Sequence, residues 1–227
     1  MKTGLVLLLI VCAFQAAAAQ SATVRFQASV ERKEVRPGDS SGVVAWLTPI
    51  GVTAPAPAPG RYRLLQKNKQ FEPHLLVIPV GSSVDFPNQD PFFHNVFSLY
   101  NGKRFDLGLY EAGSSKAVEF DRVGVSFVFC NIHPDMSAVV LTMASPYYAV
   151  SSPAGDIWIR NVPPGKYRLR VWYERASPEA LQALERELSV TSDVTLPLRV
   201  AEVVGPSTPH KNKFGKDYDK APAYENR

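Results

Sequence analysis

Hydrophobic residues recur along this chain in short runs that are typical of β-strands. Residues 23–30 alternate polar and apolar side chains without a break, as a strand with one buried face does. Residues 124–129 and 138–143 are rich in β-branched and aromatic side chains and have no helical period. Nineteen prolines and fourteen glycines separate such runs and argue against long helices. The pattern predicts an all-β protein.

Further strands are predicted on both sides of these runs, at 42–47, 75–80, 147–150, 155–159 and 167–173. A serine followed by a proline opens residues 177–188, where leucines recur at helical spacing. One short helix near the C-terminus is therefore predicted over this stretch. Residues 56–60 are rich in proline and cannot join a strand ladder, so they are expected to form an extended linker.

The N-terminus indicates export. Lys2 precedes an apolar run from Leu5 to Ala13, and four alanines end at Ala19. This is the pattern of a secretory signal peptide over residues 1–19, which is expected to be cleaved after Ala19. No later apolar stretch approaches 18 residues, so no membrane span is expected. The mature protein is predicted to be soluble, and periplasmic or secreted.

Two short motifs contain the candidate chemistry. Phe93-His94-Asn95-Val96 supplies one imidazole, and Cys130-Asn131-Ile132-His133-Pro134-Asp135-Met136 supplies a thiolate, a second imidazole and a thioether. A cysteine sulfur and two histidine nitrogens in a near-trigonal plane, with a weak axial methionine, suit both Cu(I) and Cu(II). The second motif lies between two predicted strands, so its residues share one tight loop. We predict one copper ion bound by His94, Cys130, His133 and Met136.

The same residue types have other interpretations. A single cysteine or methionine beside a strand is usually a core residue. Cleavage of the signal peptide removes Cys12 and leaves Cys130 without a disulfide partner in the chain. Copper ligation explains this. Structural zinc normally takes four strong ligands, and a thioether is not one. A cysteine nucleophile paired with His133 has no evident third group to orient it.

The two motifs resemble those of the cupredoxins, and among them the amicyanins, which have the loop Cys-x2-His-Pro-x-Met. The resemblance covers residues 61–144 and implies a Greek-key β-sandwich with His94, Cys130, His133 and Met136 as copper ligands. It also implies that Asn88, six positions before His94, braces the site. The chain is further similar to bacterial proteins labelled methylamine-utilisation or cupredoxin-domain proteins.

The flanking regions resemble a second family. The phrase Val162-Pro163-Pro164-Gly165, followed by Tyr167, is similar to the closing strands of the carboxypeptidase regulatory-like, transthyretin-related sandwich. The resemblance implies an outer sandwich made of residues 20–55 and 145–200, with the cupredoxin domain inserted. Two sandwiches in series are the alternative. Residues 201–227 are polar and are expected to form a flexible tail.

The expected role is that of a one-electron carrier. Electrons would pass through His133, with Phe92 and Pro134 on the apolar rim that meets an unidentified redox partner protein. Phe93 is expected in the core, His74 is expected to be hydrogen-bonded at a sheet edge, and His210 is expected to be solvated.

Two other functions remain open: a copper-binding or copper-delivery module, and a cell-envelope interaction protein. The net charge of +4 comes largely from tail lysines that are not interleaved with aromatic residues on one face, so nucleic acid is not an expected partner. No catalytic pocket is evident in the sequence, so the protein is not expected to be an enzyme.

Overall fold

The computed structural model describes residues 21–31, 39–99, 102–203 and 210–218. The regular structure of these residues is almost entirely β, which confirms the prediction of an all-β protein. The proposed signal peptide and its cleavage site lie outside the described residues. Within the described ranges, no helix is long and apolar enough to cross a membrane.

In chain order the first strands are β1 (Ala22–Glu31), β2 (Val44–Pro49), β3 (Arg61–Arg63), β4 (Leu65–Lys67), β5 (Gln70–Glu72), β6 (Leu75–Pro79), β7 (Ser82–Pro87), β8 (His94–Ser98) and β9 (Phe105–Tyr110). They are followed by β10 (Ser115–Phe120), β11 (Gly124–Cys130), β12 (Ser137–Met143), β13 (Tyr148–Val150), β14 (Asp156–Val162), β15 (Gly165–Trp172), β16 (Arg186–Val190) and β17 (Val194–Ala201). One helix, α1 (Pro178–Ala183), lies between β15 and β16.

The central strands form two sheets around an apolar core. One sheet has the order β10-β7-β3, and the other has the order β6-β12-β11-β8-β9. Buried residues from both sheets and from the connections between their strands form one cluster, which includes Leu64, Phe71, Ile78, Val84, Phe86, Val96, Tyr110, Phe120, Val128, Cys130, Met136 and Val140. Cys130 and Met136 are therefore packed into the same core that holds the two sheets together.

Strands from both ends of the described chain form a second pair of sheets. Their orders are β14-β1-β17 and β13-β2-β15-β16, and β1 pairs antiparallel with β14 but parallel with β17. One core joins these sheets and includes Phe26, Leu47, Ile157, Ile159, Tyr167, Leu169 and Leu198. The alternation predicted for residues 23–30 follows from this core, because every second side chain of β1 from Ala22 to Ala28 is buried in it. The division of the chain into an inserted domain, 61–144, and an outer sandwich, 20–55 with 145–200, stays a prediction.

The outer and central sheets meet face to face. Val44 of β2 and Leu141 and Met143 of β12 are buried in a third apolar cluster, against which Trp46 and Trp172 pack. At the edge of this contact, Nε2 of His74 lies 2.6 Å from Oε2 of Glu174, and His74 Nδ1 lies 3.1 Å from the Ser137 carbonyl oxygen. The hydrogen-bonded histidine expected at the sheet edge is thus present.

The predicted helix is correct only over its first half. Ser177 accepts a hydrogen bond from the Ala180 N–H at 3.2 Å, as an N-cap residue does, but α1 ends at Ala183. Leu188 instead lies in β16, where it pairs with Tyr167 of β15. The free edge of β15 offers backbone hydrogen bonds to residues 186–190, and these residues therefore pair with it as β16 instead of continuing the helix.

Candidate metal centre

The loop from Cys130 to Met136 is a tight connection between β11 and β12. Phe129 pairs with Ser137 in the ladder, so the seven-residue segment between them closes the hairpin. The Cys130 N–H donates to the Met136 carbonyl oxygen at 3.1 Å, and the Met136 N–H donates to the His133 carbonyl oxygen at 3.1 Å. These bonds bring the two ends of the loop together.

Strand β8 supplies the remaining histidine. His94 is its first residue, and two positions later Val96 pairs with Cys130 in the antiparallel ladder between β8 and β11. The Asn131 N–H also donates to the Asn95 carbonyl oxygen at 3.1 Å. Although His94 and Cys130 are 36 positions apart in the sequence, the register of two neighbouring strands places them side by side.

The ligand atoms of His94, Cys130 and His133 converge, with all three lying within 4.8 Å of one another. Sγ of Cys130 is 3.6 Å from Nδ1 of His94 and 3.4 Å from Nδ1 of His133. Donors bonded to one metal at about 2.0 to 2.3 Å in a near-trigonal arrangement lie roughly 3.5 to 3.8 Å apart. The three side chains thus fit a single metal ion.

Met136 is fully buried and belongs to the same apolar cluster as Cys130. Its part as a fourth ligand stays a prediction. Phe92 packs on the two histidines, with its ring centroid 5.3 Å from that of His94 and 5.6 Å from that of His133. The two imidazole rings meet edge to face at 4.9 Å. The centre is enclosed by apolar and aromatic groups.

Asp90 is a site residue that sequence reasoning missed. Its Oδ2 lies 2.8 Å from Nε2 of His94, and both side chains are buried. A carboxylate only accepts hydrogen bonds when ionised, so Nε2 of His94 must carry the proton and Nδ1 faces Cys130 as a lone-pair donor. The spacing Asp90-x-x-x-His94 was the only sequence signal, and such pairs are common by chance.

Two backbone N–H groups hold the Asp90 carboxylate. It accepts hydrogen bonds from the N–H groups of Asn68 at 2.6 Å and Lys69 at 2.9 Å. Burial raises the pKa of Asp90, but the bonds from Lys69, His94 and Asn68 outweigh burial and leave that pKa below its usual value. Asp90 is therefore ionised at neutral pH and can fix the orientation of the His94 ring.

Asn88 holds the backbone turn that leads to His94. Its Nδ2 donates to the Phe92 carbonyl oxygen at 2.8 Å, and its Oδ1 accepts from the Asp90 N–H at 3.0 Å. The Asn88 side chain is buried. Its contacts reach the site through Asp90 and Phe92, which is how an amide side chain can brace a loop without touching a ligand.

Burial keeps both Cys130 and His133 in their neutral forms, which suits metal binding at the histidine and opposes it at the cysteine. Burial raises the pKa of the Cys130 thiol, although hydrogen bonds from nearby backbone groups oppose the shift. Burial also lowers the pKa of His133, and the neighbouring His94 and Lys69 lower it further. A neutral His133 keeps the lone pair that a metal requires, and the buried thiol must lose its proton on binding.

The surface near the centre differs from the expectation at one position. Pro134 is exposed and Phe92 is half-buried, but Phe93, which was expected in the core, is 56% exposed. In β8 the side chains from His94 to Ser98 are all buried, and the chain turns outward just before them. Phe93, next to His94 in the chain, and Ile132, next to His133 and 43% exposed, therefore add exposed apolar area.

The C-terminal segment also departs from the expectation. His210 was expected to be solvated, but its ring stacks on Phe129 with centroids 4.0 Å apart and an interplanar angle of 23°. Tyr218 donates a hydrogen bond to the Cys130 carbonyl oxygen at 2.7 Å. The part of the predicted flexible tail that the structure describes beyond Val203, residues 210–218, thus contacts the ligand loop.

No protein-family model and no curated protein sequence matches this chain. Among solved structures, a purple cupredoxin from Nitrosopumilus maritimus is 27% identical, with 36% of this chain and 98% of that chain covered and a TM-score of 0.33. A reduced proline-to-phenylalanine variant of amicyanin is 20% identical, covers 43% of this chain and 99% of its own, and has a TM-score of 0.34.

A copper-containing nitrite reductase from Thermus scotoductus is 21% identical, with 52% of this chain but only 28% of that chain covered and a TM-score of 0.35. At such scores a likeness carries no argument about function. The function proposed below therefore rests on the side chains of the site.

Proposed function

We propose that this protein binds one copper ion in a mononuclear type 1 site and acts as a one-electron carrier. His94, Cys130 and His133 would be the strong ligands, and Met136 would be the weak axial one. The observation that carries the proposal is the convergence of two Nδ1 atoms on one buried cysteine sulfur at 3.4 and 3.6 Å. The donor set matches a metal that cycles between Cu(I) and Cu(II).

Copper, when bound, supplies a one-electron redox couple. The chain's own contribution is to hold the donors in place while the oxidation state changes. Cys130 and His94 lie on paired strands, and hydrogen bonds close the loop that contains His133 and Met136. Such a rigid setting keeps the structural change that accompanies electron transfer small, which favours rapid exchange.

His133 is the proposed point of electron entry and exit. Of the two histidines, His94 is fully buried, whereas His133 is only partly buried and lies next to the exposed Pro134 and Ile132. With Phe92 and Phe93, these side chains form an apolar rim suited to a transient contact with a redox partner protein. We infer no catalytic activity, because the donor set accounts for the chemistry of the site by itself.

The proposed compartment is the periplasm or the exterior of the cell. The sequence of residues 1–19 supports export, and a free cysteine in an exported protein is explained by metal ligation. A copper-delivery module is the main alternative, since it would use the same side chains without a stable Cu(II) state.

The test is an absorption and metal-content measurement on the mature protein. We expect one copper per chain and the intense visible band of thiolate-to-Cu(II) charge transfer, and Cys130→Ser should abolish that band. His94→Gln should weaken copper binding, whereas His74→Gln, which changes a histidine outside the cluster, should leave the band intact. Stoichiometric copper without the band, or Cu(I) binding without a stable Cu(II) form, would contradict the electron-carrier proposal.

A further inference from the structure

Residues 210–218 make three separate contacts with the loop that contains the candidate ligands. The Tyr218 hydroxyl donates to the Cys130 carbonyl oxygen at 2.7 Å, and the Lys213 N–H donates to Oδ1 of Asn131 at 2.9 Å. The His210 ring stacks on Phe129. Phe129, Cys130 and Asn131 are consecutive, so the segment covers the part of the loop where β11 ends.

The segment has its own internal structure, which fixes the positions of these contacts. The Asn212 N–H donates to the Lys216 carbonyl oxygen at 2.9 Å, and the Gly215 N–H donates to the Asn212 carbonyl oxygen at 2.9 Å. Gly215 has φ +74°, which glycine adopts without strain. Tyr218 returns beside His210, with its hydroxyl 3.2 Å from His210 Nδ1. A closed turn therefore presents its two aromatic ends to the loop.

The segment also reaches the strand that supplies the other histidine. Nζ of Lys213 forms an ion pair with Oδ2 of Asp106 at 2.7 Å. The Asp106 carboxylate in turn accepts a hydrogen bond from Nδ2 of Asn95 at 2.7 Å, and Asn95 is adjacent to His94. One short segment is thus connected to both strands that hold candidate ligands.

We propose that residues 210–218 are a positioning element of the metal centre and that Tyr218 is its principal positioning residue. The inference rests on the copper site proposed above and assigns a role that the donor set alone does not contain. By donating to the Cys130 carbonyl oxygen, Tyr218 restrains the backbone from which the thiolate projects. It also withdraws electron density from the cysteine, which disfavours Cu(II) relative to Cu(I).

The chemistry of Tyr218 suits this role at all physiological pH values. A tyrosine hydroxyl keeps its proton at neutral pH, so it can donate this hydrogen bond. The hydrogen bond is partly buried, and the ring stack of His210 on Phe129 lies beside it. Partial burial strengthens a hydrogen bond relative to one in water, so its loss should be measurable.

Tyr218→Phe removes only the hydroxyl, and the full chain offers a matched control. Tyr167 donates an equivalent hydrogen bond to the Pro163 carbonyl oxygen at 2.7 Å, but it lies in the outer sheets. Tyr167→Phe therefore makes the same chemical change away from the centre. The first measurement is amide hydrogen exchange of the metal-free protein at Cys130 and Asn131, whose N–H groups donate to Met136 and Asn95.

We expect Tyr218→Phe to speed exchange at Cys130 and Asn131 roughly fivefold, as the loss of one net hydrogen bond of ordinary strength does. Tyr167→Phe should leave those two amides unchanged. In the copper-loaded protein, Tyr218→Phe should lower the reduction potential, alter the Cu(II) electron paramagnetic resonance spectrum and speed copper release to a chelator. His210→Leu, which removes the ring stack but keeps apolar volume, should shift the same quantities in the same direction.

Unchanged exchange at Cys130 and Asn131 in Tyr218→Phe and in His210→Leu would overturn the proposal. Faster exchange with an unchanged potential and spectrum would also overturn it, because the segment would then be packing without a positioning role. Failure of the copper site itself gives a different result: the wild-type protein would bind no copper or show no charge-transfer band, whatever the exchange rates are.

Discussion

At the residue scale, the centre depends on a few side chains whose burial decides their chemistry. The Cys130 thiol has a raised pKa and His133 a lowered one, both chiefly through burial, so the apolar pocket keeps both groups neutral. Asp90 is the exception, since its hydrogen bonds keep it ionised beside His94. The candidate site thus includes a buried, ionised carboxylate in contact with the His94 ring.

Met136 is predicted to tune the metal rather than hold it. Met136→Leu keeps the side-chain volume and should cost less than about 1.5 kcal/mol of stability. Because the axial thioether bond is weak, the variant should retain one copper per chain and have a higher reduction potential. Met143→Leu changes a buried methionine between the outer and central sheets. It is the control and should leave the potential unchanged. Complete loss of copper from Met136→Leu would show a different coordination geometry.

Asp90 is predicted to set the affinity for copper through the orientation of His94. Asp90→Asn replaces the ionised acceptor by an amide and should lower copper affinity about 10- to 100-fold, the range found when the partner of a metal-bound histidine is changed. Competition with a chelator of known affinity measures the effect. Asp121→Asn, which alters an exposed ion pair with Lys103, should change the affinity little. Equal copper affinities in the wild type, Asp90→Asn and Asp121→Asn would show that Asp90 does not set the affinity.

At the element scale, local sequence signals identified strands well but could not assign every partner. Residues 124–129 and 138–143 correspond closely to β11 and β12, and 167–173 to β15. The last residues of the predicted helix instead begin β16, because Leu188 also fits a strand that pairs with β15. A local sequence pattern does not contain the energy of pairing with a neighbouring strand. Tertiary structure therefore decides whether such a segment forms a helix or a strand.

Gly155 is predicted to be required at the turn before β14. It has φ +88°, and an added Cβ would lie 2.0 Å from the Ala28 carbonyl oxygen of β1. Gly155→Ala should therefore lower the free energy of unfolding by roughly 3 kcal/mol, through strain and displacement of β1. Gly51 has φ +80° but no atom within 4 Å of an added Cβ, so Gly51→Ala should cost only about 1 kcal/mol. Urea unfolding of both variants measures the difference, and equal losses would exclude the clash.

At the scale of the whole molecule, the outer and central sheets are joined by an apolar contact and one polar pair. His74 belongs to the central part and Glu174 to the outer part, and they meet at 2.6 Å. Both neighbours of the His74 ring, Glu174 and the Ser137 carbonyl, are acceptors, so only the protonated ring can donate to both. The pair therefore makes the union of the two parts sensitive to pH.

The hydrogen bond to Glu174 is the largest cause of the raised pKa of His74, and burial opposes it. A raised pKa in the folded state means that the stabilisation is fully present below the unfolded-state pKa of about 6.5 and is lost as pH rises through the folded-state value. The His74 side chain is 53% exposed, so solvent screening limits the contribution to about 0.2 to 1 kcal/mol.

Urea unfolding should therefore show His74→Gln to be less stable than the wild type at pH 5 and nearly equal to it above the folded-state pKa. Glu174→Gln should show the same dependence, and the double variant should add little to either. A stability difference that is independent of pH would rule out the pair as its source.

The sequence by itself determined the donor types, their spacing within the loop and the β character of the chain. These properties are local: a seven-residue motif contains three of the four candidate ligands, and alternation of side chains needs no partner to be recognised. It also indicated that His94 must reach the loop from the end of a neighbouring strand, and the resemblance to the cupredoxins implied that His94 is a ligand.

Tertiary structure decided the remainder, and each case depends on contacts between distant residues. The ladder between β8 and β11 sets the distance from His94 to Cys130, and the buried turn around Asn88 brings Asp90 to the ring. The parallel pairing of β1 with β17 joins opposite ends of the described chain. Tyr218 contacts Cys130 from 88 positions away in the sequence. No local pattern in a polar segment predicts such a contact, because its hydrogen bonds form only after the loop has folded.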